Sequence, residues 1–275
     1  MAEFGARLAA VLRDRGPICL GIDPHAYLLS RWGLPDSAAG VREFGLRAVE
    51  AAADVIGIVK PQVAFFERHG SAGYGALEDV LASARARGLV TIADVKRGDI
   101  GSTVDAYGEA WLGAGSPLEA DAMTVVAYQG LGSLVGVLER AAAASKGVFV
   151  LSATSNPEAE GIQQAVTAGG ESVAAAIARG VAARNAGSRL GSVGVVIGAT
   201  VDMSRYGIGS DDLAATPVLA PGFGEQGAAL GTLRERYGAL ADNVVANTGR
   251  AMLSGGPEEI APRLLAAIDE TRAQG

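Results

Sequence analysis

Eight short apolar, β-branched runs recur along the chain, separated by longer alanine-rich stretches. That alternation restricts the fold more than any single motif. The runs are ICLGI (18–22), VIGIV (55–59), LVTIADV (89–95), AMTVV (122–126), GVFVLS (147–152), VGVVIGA (193–199), PVLAP (217–221) and NVVANTG (243–249). They are nearly continuous in apolar character rather than alternating, as parallel strands covered on both faces should be. Helical spacing fills 71–87, 103–114, 131–144, 171–186, 226–237 and 257–272. Eight strands alternating with helices predict a closed (β/α)8 TIM barrel rather than an open doubly wound sheet. The length of 275 residues fits one such domain, typically ~250 residues long. No linker, low-complexity tract or repeat divides 1–275, so a single barrel domain is expected over the whole span. Aromatic residues supply only 5% of a chain that is 49% hydrophobic, so the core must be built mainly of Ala, Val, Leu and Ile.

The formal net charge of −7 and the lack of a Lys/Arg block argue against nucleic acid as a partner, while leaving room for a small anion in a local positive pocket. One cysteine, Cys19, cannot form an internal disulfide, which favours a reducing cytoplasmic setting. No leader-like segment opens the sequence and no charge-free apolar run reaches ~18 residues, so no membrane partner is expected. Two connections are long, 156–170 and 200–216, and long loops in compact domains serve either as lids or as surface decoration.

A barrel places the C-terminal ends of all its strands on one rim. Reading those ends gives Asp23-Pro24, Lys60-Pro61, Asp94 with Lys96, Ser152 with Thr154 and Ser155, Pro221-Gly222, and Thr248-Gly249-Arg250. An Asp before Pro is as readily turn chemistry as a site. Two lysines and two carboxylates meeting in an apolar mouth are different, because buried charges cost several kcal/mol each unless paired. The stretch TIADVKRGDIGST (91–103) concentrates Asp94, Lys96, Arg97 and Asp99 where a buried strand should be ending. Asp94 and Lys96, two apart, project to the same face of a strand. Asp99 lies beyond Gly98 and cannot continue that row; it bends back to the pocket, faces solvent, or reaches a neighbouring subunit.

PGFGEQG (221–227) contains a literal G-x-G-x-x-G. It follows the seventh strand rather than the first, and no acidic residue ends the next strand, so a dinucleotide site is not the reading. Its place is that of the phosphate site barrels build after strands seven and eight, with N–H groups of the turn and of a following helix start on the anion, and Arg250 as a bidentate cation. His25 and His69, the only histidines, have neither metal-ligand nor triad spacing; Trp32 and Trp111 suit packing.

Taken in order, GIDP, VKPQVAFFE, DVKRGDIGST, TSNP, APGFGEQG and NTGRAM resemble the orotidine 5′-phosphate decarboxylase family, and within it the bacterial branch called type 2. The resemblance runs nearly end to end. It implies a cofactor-free, metal-free barrel homodimer that acts on a small nucleotide, orotidine 5′-phosphate, giving UMP and CO₂ in pyrimidine synthesis. By motif it implies that Lys60, Asp94, Lys96 and Asp99 form an alternating Lys-Asp-Lys-Asp array, with Asp99 supplied by the partner chain. It also implies that Asp23 and Thr103 hold ribose hydroxyls, Thr103 across the interface, and that Ser155 meets the pyrimidine. Pro221, Gly222, Gln226, Gly249 and Arg250 would hold phosphate, with closure of the 223–230 loop over it. Where related chains carry Asn-Pro after strand four this one has Val126-Ala127, so no role is assigned to that strand end.

Overall fold

A computed structural model describes residues 2–225 and 227–273. Its eight strands are β1 (Ile18–Ile22), β2 (Ile58–Pro61), β3 (Val90–Arg97), β4 (Ala122–Val125), β5 (Gly147–Ala153), β6 (Val193–Ile197), β7 (Val218–Pro221) and β8 (Val244–Thr248). All pair in parallel with their sequence neighbours, and β8 returns to β1, which closes the barrel. The (β/α)8 reading therefore holds. No helix among the described residues is long and apolar enough to cross a membrane.

Two apolar layers hold the fold. One lies between the strands and the surrounding helices; the other fills the barrel, where Cys19, Ile58, Ile92, Phe149, Leu219 and Val245 pack together. The N-terminal helix Phe4–Arg15 closes the base of that interior: Phe4 meets Phe149 edge-on, with centroids 6.2 Å apart, and Leu8 is fully buried. Helices Ala38–Ala53 and Gly70–Ala86 pack closely because Gly45 has no side chain; a Cβ there would lie 2.5 Å from Val80 Cγ2. Neither the N-terminal helix nor Ala38–Ala53 is among the helical segments expected from spacing.

Two expectations need correction. The run at 55–59 is displaced, since β2 starts at Ile58. Val55 and Ile56 instead donate their N–H groups to Ala52 O in the turn that ends the preceding helix, and Ile56 is buried there without being a strand residue. Lys60 is thus inside its strand rather than just past it. The helix expected at 226–237 is replaced by a 3-10 turn at Leu230–Thr232 and a short helix at Leu233–Tyr237. Before them the chain folds back, with Phe223 bridged to Ala228 and Gly224 N–H donating to Ala228 O at 2.8 Å. The long connection 156–170 is ordered: a 3-10 turn at Pro157–Ala159, a helical turn at Glu160–Gln163, and a Val166–Ser172 bridge.

Candidate active site

The C-terminal rim opens into a cavity of about 450 Å³ lined by Asp23, Lys60, Asp94, Lys96, Ser155, Pro221, Gly222, Gly249 and Arg250, among others. Its floor is the top of the barrel interior, where Leu151, Val196 and Leu219 face upward. Strand periodicity sets which side chains enter. Ile92 points into the barrel and Ala93 into the outer layer, so Asp94 points inward again.

Asp94 is the centre of the cluster. Its Oδ2 accepts from Lys60 Nζ at 2.8 Å, and its Oδ1 accepts from Lys96 Nζ at 2.6 Å and from Thr124 Oγ1 at 2.9 Å. Burial by itself would raise the Asp94 pKa, but the two ammoniums prevail and hold it well below the ordinary carboxylate range. Burial would likewise depress Lys60, yet Asp94 and Asp23 hold its ammonium above its usual pKa. The two lysines are not equivalent. The Lys60 side chain is 4% exposed and that of Lys96 44%, so Lys60 is sealed behind Asp94 while Lys96 reaches into the open cavity.

Lys96 arrives by a route that strand alternation does not describe. Its φ is 47°, one of two positive values among described non-glycine residues, and the β3–β4 register shifts between Ala93 and Arg97. The Lys96 N–H donates to Thr124 Oγ1 at 2.9 Å. A backbone held in this sparsely populated region is characteristic of functional sites. Asp94 and Lys96 share a face as expected, but through a kink at the strand end. Gln62 Oε1 stands 3.4 Å from both ammoniums.

Thr124 and Gln62 are the site residues that sequence reasoning missed. Thr124 is a fully buried hydroxyl in a strand otherwise made of apolar side chains, and Gln62 lies two positions past Lys60; both signals were legible. Asn247 also lines the cavity, with Cys19 Sγ donating to its Oδ1 at 3.7 Å; burial pushes the Cys19 thiol up to about 12, so it is inert as a nucleophile.

On the opposite side, Asp23 Oδ1 and Thr248 Oγ1 are buried without hydrogen-bond partners among the described residues. Buried polar atoms are normally satisfied; of these two residues Asp23 lines the cavity and Thr248 does not. Gly249 abuts Asp23: a Cβ there would sit 3.0 Å from Asp23 Oδ2 and 3.1 Å from Gly21 O. Gly222, Gly224 and Gly227 have φ of 118°, 86° and 93°, backbone that disfavours any side chain, and the N–H groups of Gly224 and Gly227 are spent within the loop on Ala228 O and Gly224 O. Arg250 forms no ion pair among the described residues. Gln226 lies outside the described residues.

Asp99 and Thr103 do not line the cavity within one chain. Asp99 Oδ1 accepts the N–H of Ile100, a residue 61% exposed, and Thr103 is exposed on the helix Gly101–Leu112. His25 stays out of the cavity and packs edge-on against Phe65, centroids 4.4 Å apart. Trp32 and Trp111 are packing residues, 8% and 3% exposed.

The pairing of Asp94 with two lysines sets a stability test. A depressed folded-state pKa means that Asp94 adds stability above about pH 4, lost as pH falls through the folded value; a raised Lys60 adds stability below about pH 10, lost as pH rises through its own. Asp94→Asn should cost about 3–5 kcal/mol at pH 7, because Lys60 is left buried and unpaired. Adding Lys60→Met should recover much of that loss in urea unfolding. A double variant no more stable than Asp94→Asn alone would refute the pairing argument.

Fold and cavity together define a (β/α)8-barrel protein with a Lys-Asp-Lys cluster and a recess lined by Gly222, Gly249 and Arg250 at the rim where barrel enzymes carry their chemistry. Residues 16–262 match the Orotidine 5′-phosphate decarboxylase / HUMPS family. Orotidine 5′-phosphate decarboxylases of Salinispora tropica and Streptomyces coelicolor are each 48% identical to the chain, over 96% and 97% of it and 94% and 95% of their own lengths. A solved structure from Streptomyces avermitilis superposes with a TM-score of 0.95 at 46% identity, covering 100% of this chain and 96% of that one. That of Leishmania donovani OMP decarboxylase superposes with a TM-score of 0.76 at 27% identity, covering 99% of each chain. This chain belongs to the orotidine 5′-phosphate decarboxylase / HUMPS family.

Proposed function

We propose that the chain is a carboxy-lyase that converts orotidine 5′-phosphate to UMP and CO₂ in pyrimidine biosynthesis, with no cofactor and no metal. The observation that carries this reading is the asymmetry of the cluster on Asp94: one ammonium sealed, one exposed to the cavity. Loss of CO₂ breaks a ring carbon–carboxylate bond and leaves the electron pair on a carbon with little means of delocalising it. The Lys96 ammonium stabilises that developing carbanion and then delivers a proton to it, leaving a C–H bond and a neutral amine. Asp94 stands where the substrate carboxylate must approach, and its two ammonium partners keep it ionised. Lys60 and Thr124 hold Asp94 in place.

The phosphate occupies the recess at Pro221, Gly222, Gly249 and Arg250, and the sequence motif assigns Gln226 to it as well. The unpartnered Asp23 Oδ1 receives a ribose hydroxyl, and Ser155 meets the pyrimidine. Phosphate binding closes the 223–230 loop over the ligand. Within one chain the cluster has two ammoniums to one carboxylate. Asp99 of a second copy would balance the charge, with Thr103 beside it on the ribose, so the working unit is a cytoplasmic homodimer with composite sites. A divalent ion bound at Asp94 would need the place that the Lys60 ammonium holds on its Oδ2.

Purified protein incubated with orotidine 5′-phosphate and EDTA should show loss of substrate absorbance at an undiminished rate. Absence of turnover would overturn the assignment, and turnover that EDTA abolishes would overturn its metal-free form.

A further inference from the structure

Residues 157–172, between the cavity wall at Thr154–Asn156 and the helix Val173–Arg184, are absent from the chemistry above, yet Gln163 within them reaches that wall. Gln163 Oε1 accepts the Thr154 N–H at 2.9 Å, and Gln163 Nε2 donates to Thr154 Oγ1 at 2.9 Å. One amide side chain thus satisfies both the backbone and the hydroxyl of one residue, a two-point grip that sets position as well as distance. The Thr154 hydroxyl donates to Asn156 Oδ1 at 2.8 Å, and Asn156 Nδ2 donates to Glu158 Oε2 at 3.1 Å. Thr154, Ser155 and Asn156 line the cavity; Gln163 does not.

This corner is gripped from the other side as well. Gly198 N–H donates to Ala153 O at 2.9 Å, and a Cβ on Gly198 would lie 3.2 Å from both Ser155 N and Ser155 Cβ. Residues 154–156 therefore stand between the end of β6 and the Gln163 amide. The segment carrying Gln163 is itself braced. Glu160 pairs with Arg205 at 3.5 Å, the Ser172 hydroxyl donates to Tyr206 O, and Val173 N–H donates to Ala165 O at 2.9 Å. A fixed anchor of this kind is what positioning of a neighbouring residue requires.

Position around the ring says what the corner acts on. The anion recess sits at β7 and β8 and the charged cluster at β2 and β3, so a flat ring joining the two ends must rest against the wall formed at β5. We propose that Gln163 is a positioning residue for the base subsite: it orients Thr154–Asn156, and the 157–172 segment is a static brace rather than a lid. This rests on the decarboxylase reading, which assigns the base to that wall.

Wild-type protein is assayed for turnover of orotidine 5′-phosphate, for binding of UMP, and for inhibition by ribose 5-phosphate, which fills the ribose and phosphate subsites without a base. Gln163→Leu should weaken UMP about tenfold, the scale of a lost hydrogen-bond pair, and lower kcat/KM at least as much. Inhibition by ribose 5-phosphate should be unchanged. Gln163→Glu, which keeps an acceptor for the Thr154 N–H, should show the same selectivity with a smaller loss, and it serves alone if the Leu variant does not fold. Equal weakening of both ligands, or no weakening of UMP in whichever variant folds, overturns the positioning role while leaving the decarboxylase assignment intact. Wild-type protein that neither turns over orotidine 5′-phosphate nor binds UMP overturns that assignment and this inference together.

Discussion

In the proposed homodimer, Lys96→Ala and Asp99→Ala should each lower activity on the order of 10³-fold or more, and mixing the two variants should restore part of it. In the proposed mechanism Lys96 supplies both charge stabilisation and the proton, and each effect alone is worth about 10²-fold or more. Asp99 earns the same expectation from a different direction. Within one chain its carboxylate accepts the Ile100 N–H away from the cavity, so a role in the site must be played in another copy. In a two-fold dimer the exchange is reciprocal. A mixed dimer then has one site with both lesions and one with none. Random reassortment makes about half the dimers mixed, so roughly a quarter of wild-type activity should return. Co-refolding that yields verified heterodimers without recovery would place each site wholly within one chain.

Arg250→Ala should lower kcat/KM for orotidine 5′-phosphate by about 2–5 kcal/mol of transition-state stabilisation, the scale for one partner of a desolvated charge pair. Arg250 lines the cavity beside Gly249 and forms no ion pair with a carboxylate among the described residues; on the proposed reading the substrate phosphate would be its counter-charge. The control is orotidine, which lacks the phosphate. If Arg250 holds only that group, turnover of orotidine should hardly change. Comparable losses on the two substrates would show that Arg250 acts on the ring or on the fold instead.

Much of this protein follows from residue order alone. A buried parallel strand must be apolar on both faces, and that requirement wrote eight recognisable runs into the chain, enough to define the barrel and to put Lys60, Asp94, Lys96 and Arg250 on one rim. The glycines of 222–227 were legible for a similar reason, since their backbone conformation excludes side chains. Other features depend on contacts between segments far apart in sequence, and no local pattern encodes them. Burial alone made Val55–Ile56 resemble a strand, because a helix-ending turn packed under the sheet is as apolar as the sheet itself. Thr124 became a ligand of Asp94 only when β3 and β4 were set in register, with a shift that puts Lys96 at φ 47°. The unequal exposure of Lys60 and Lys96, two residues of the same type at similar strand ends, is likewise a product of the closed barrel: its walls shut out solvent behind Asp94 and admit it in front. Residue type and period determined which charges would meet. Closure and register decided which of them remains accessible to react, because solvent access belongs to the assembled walls and to no single segment.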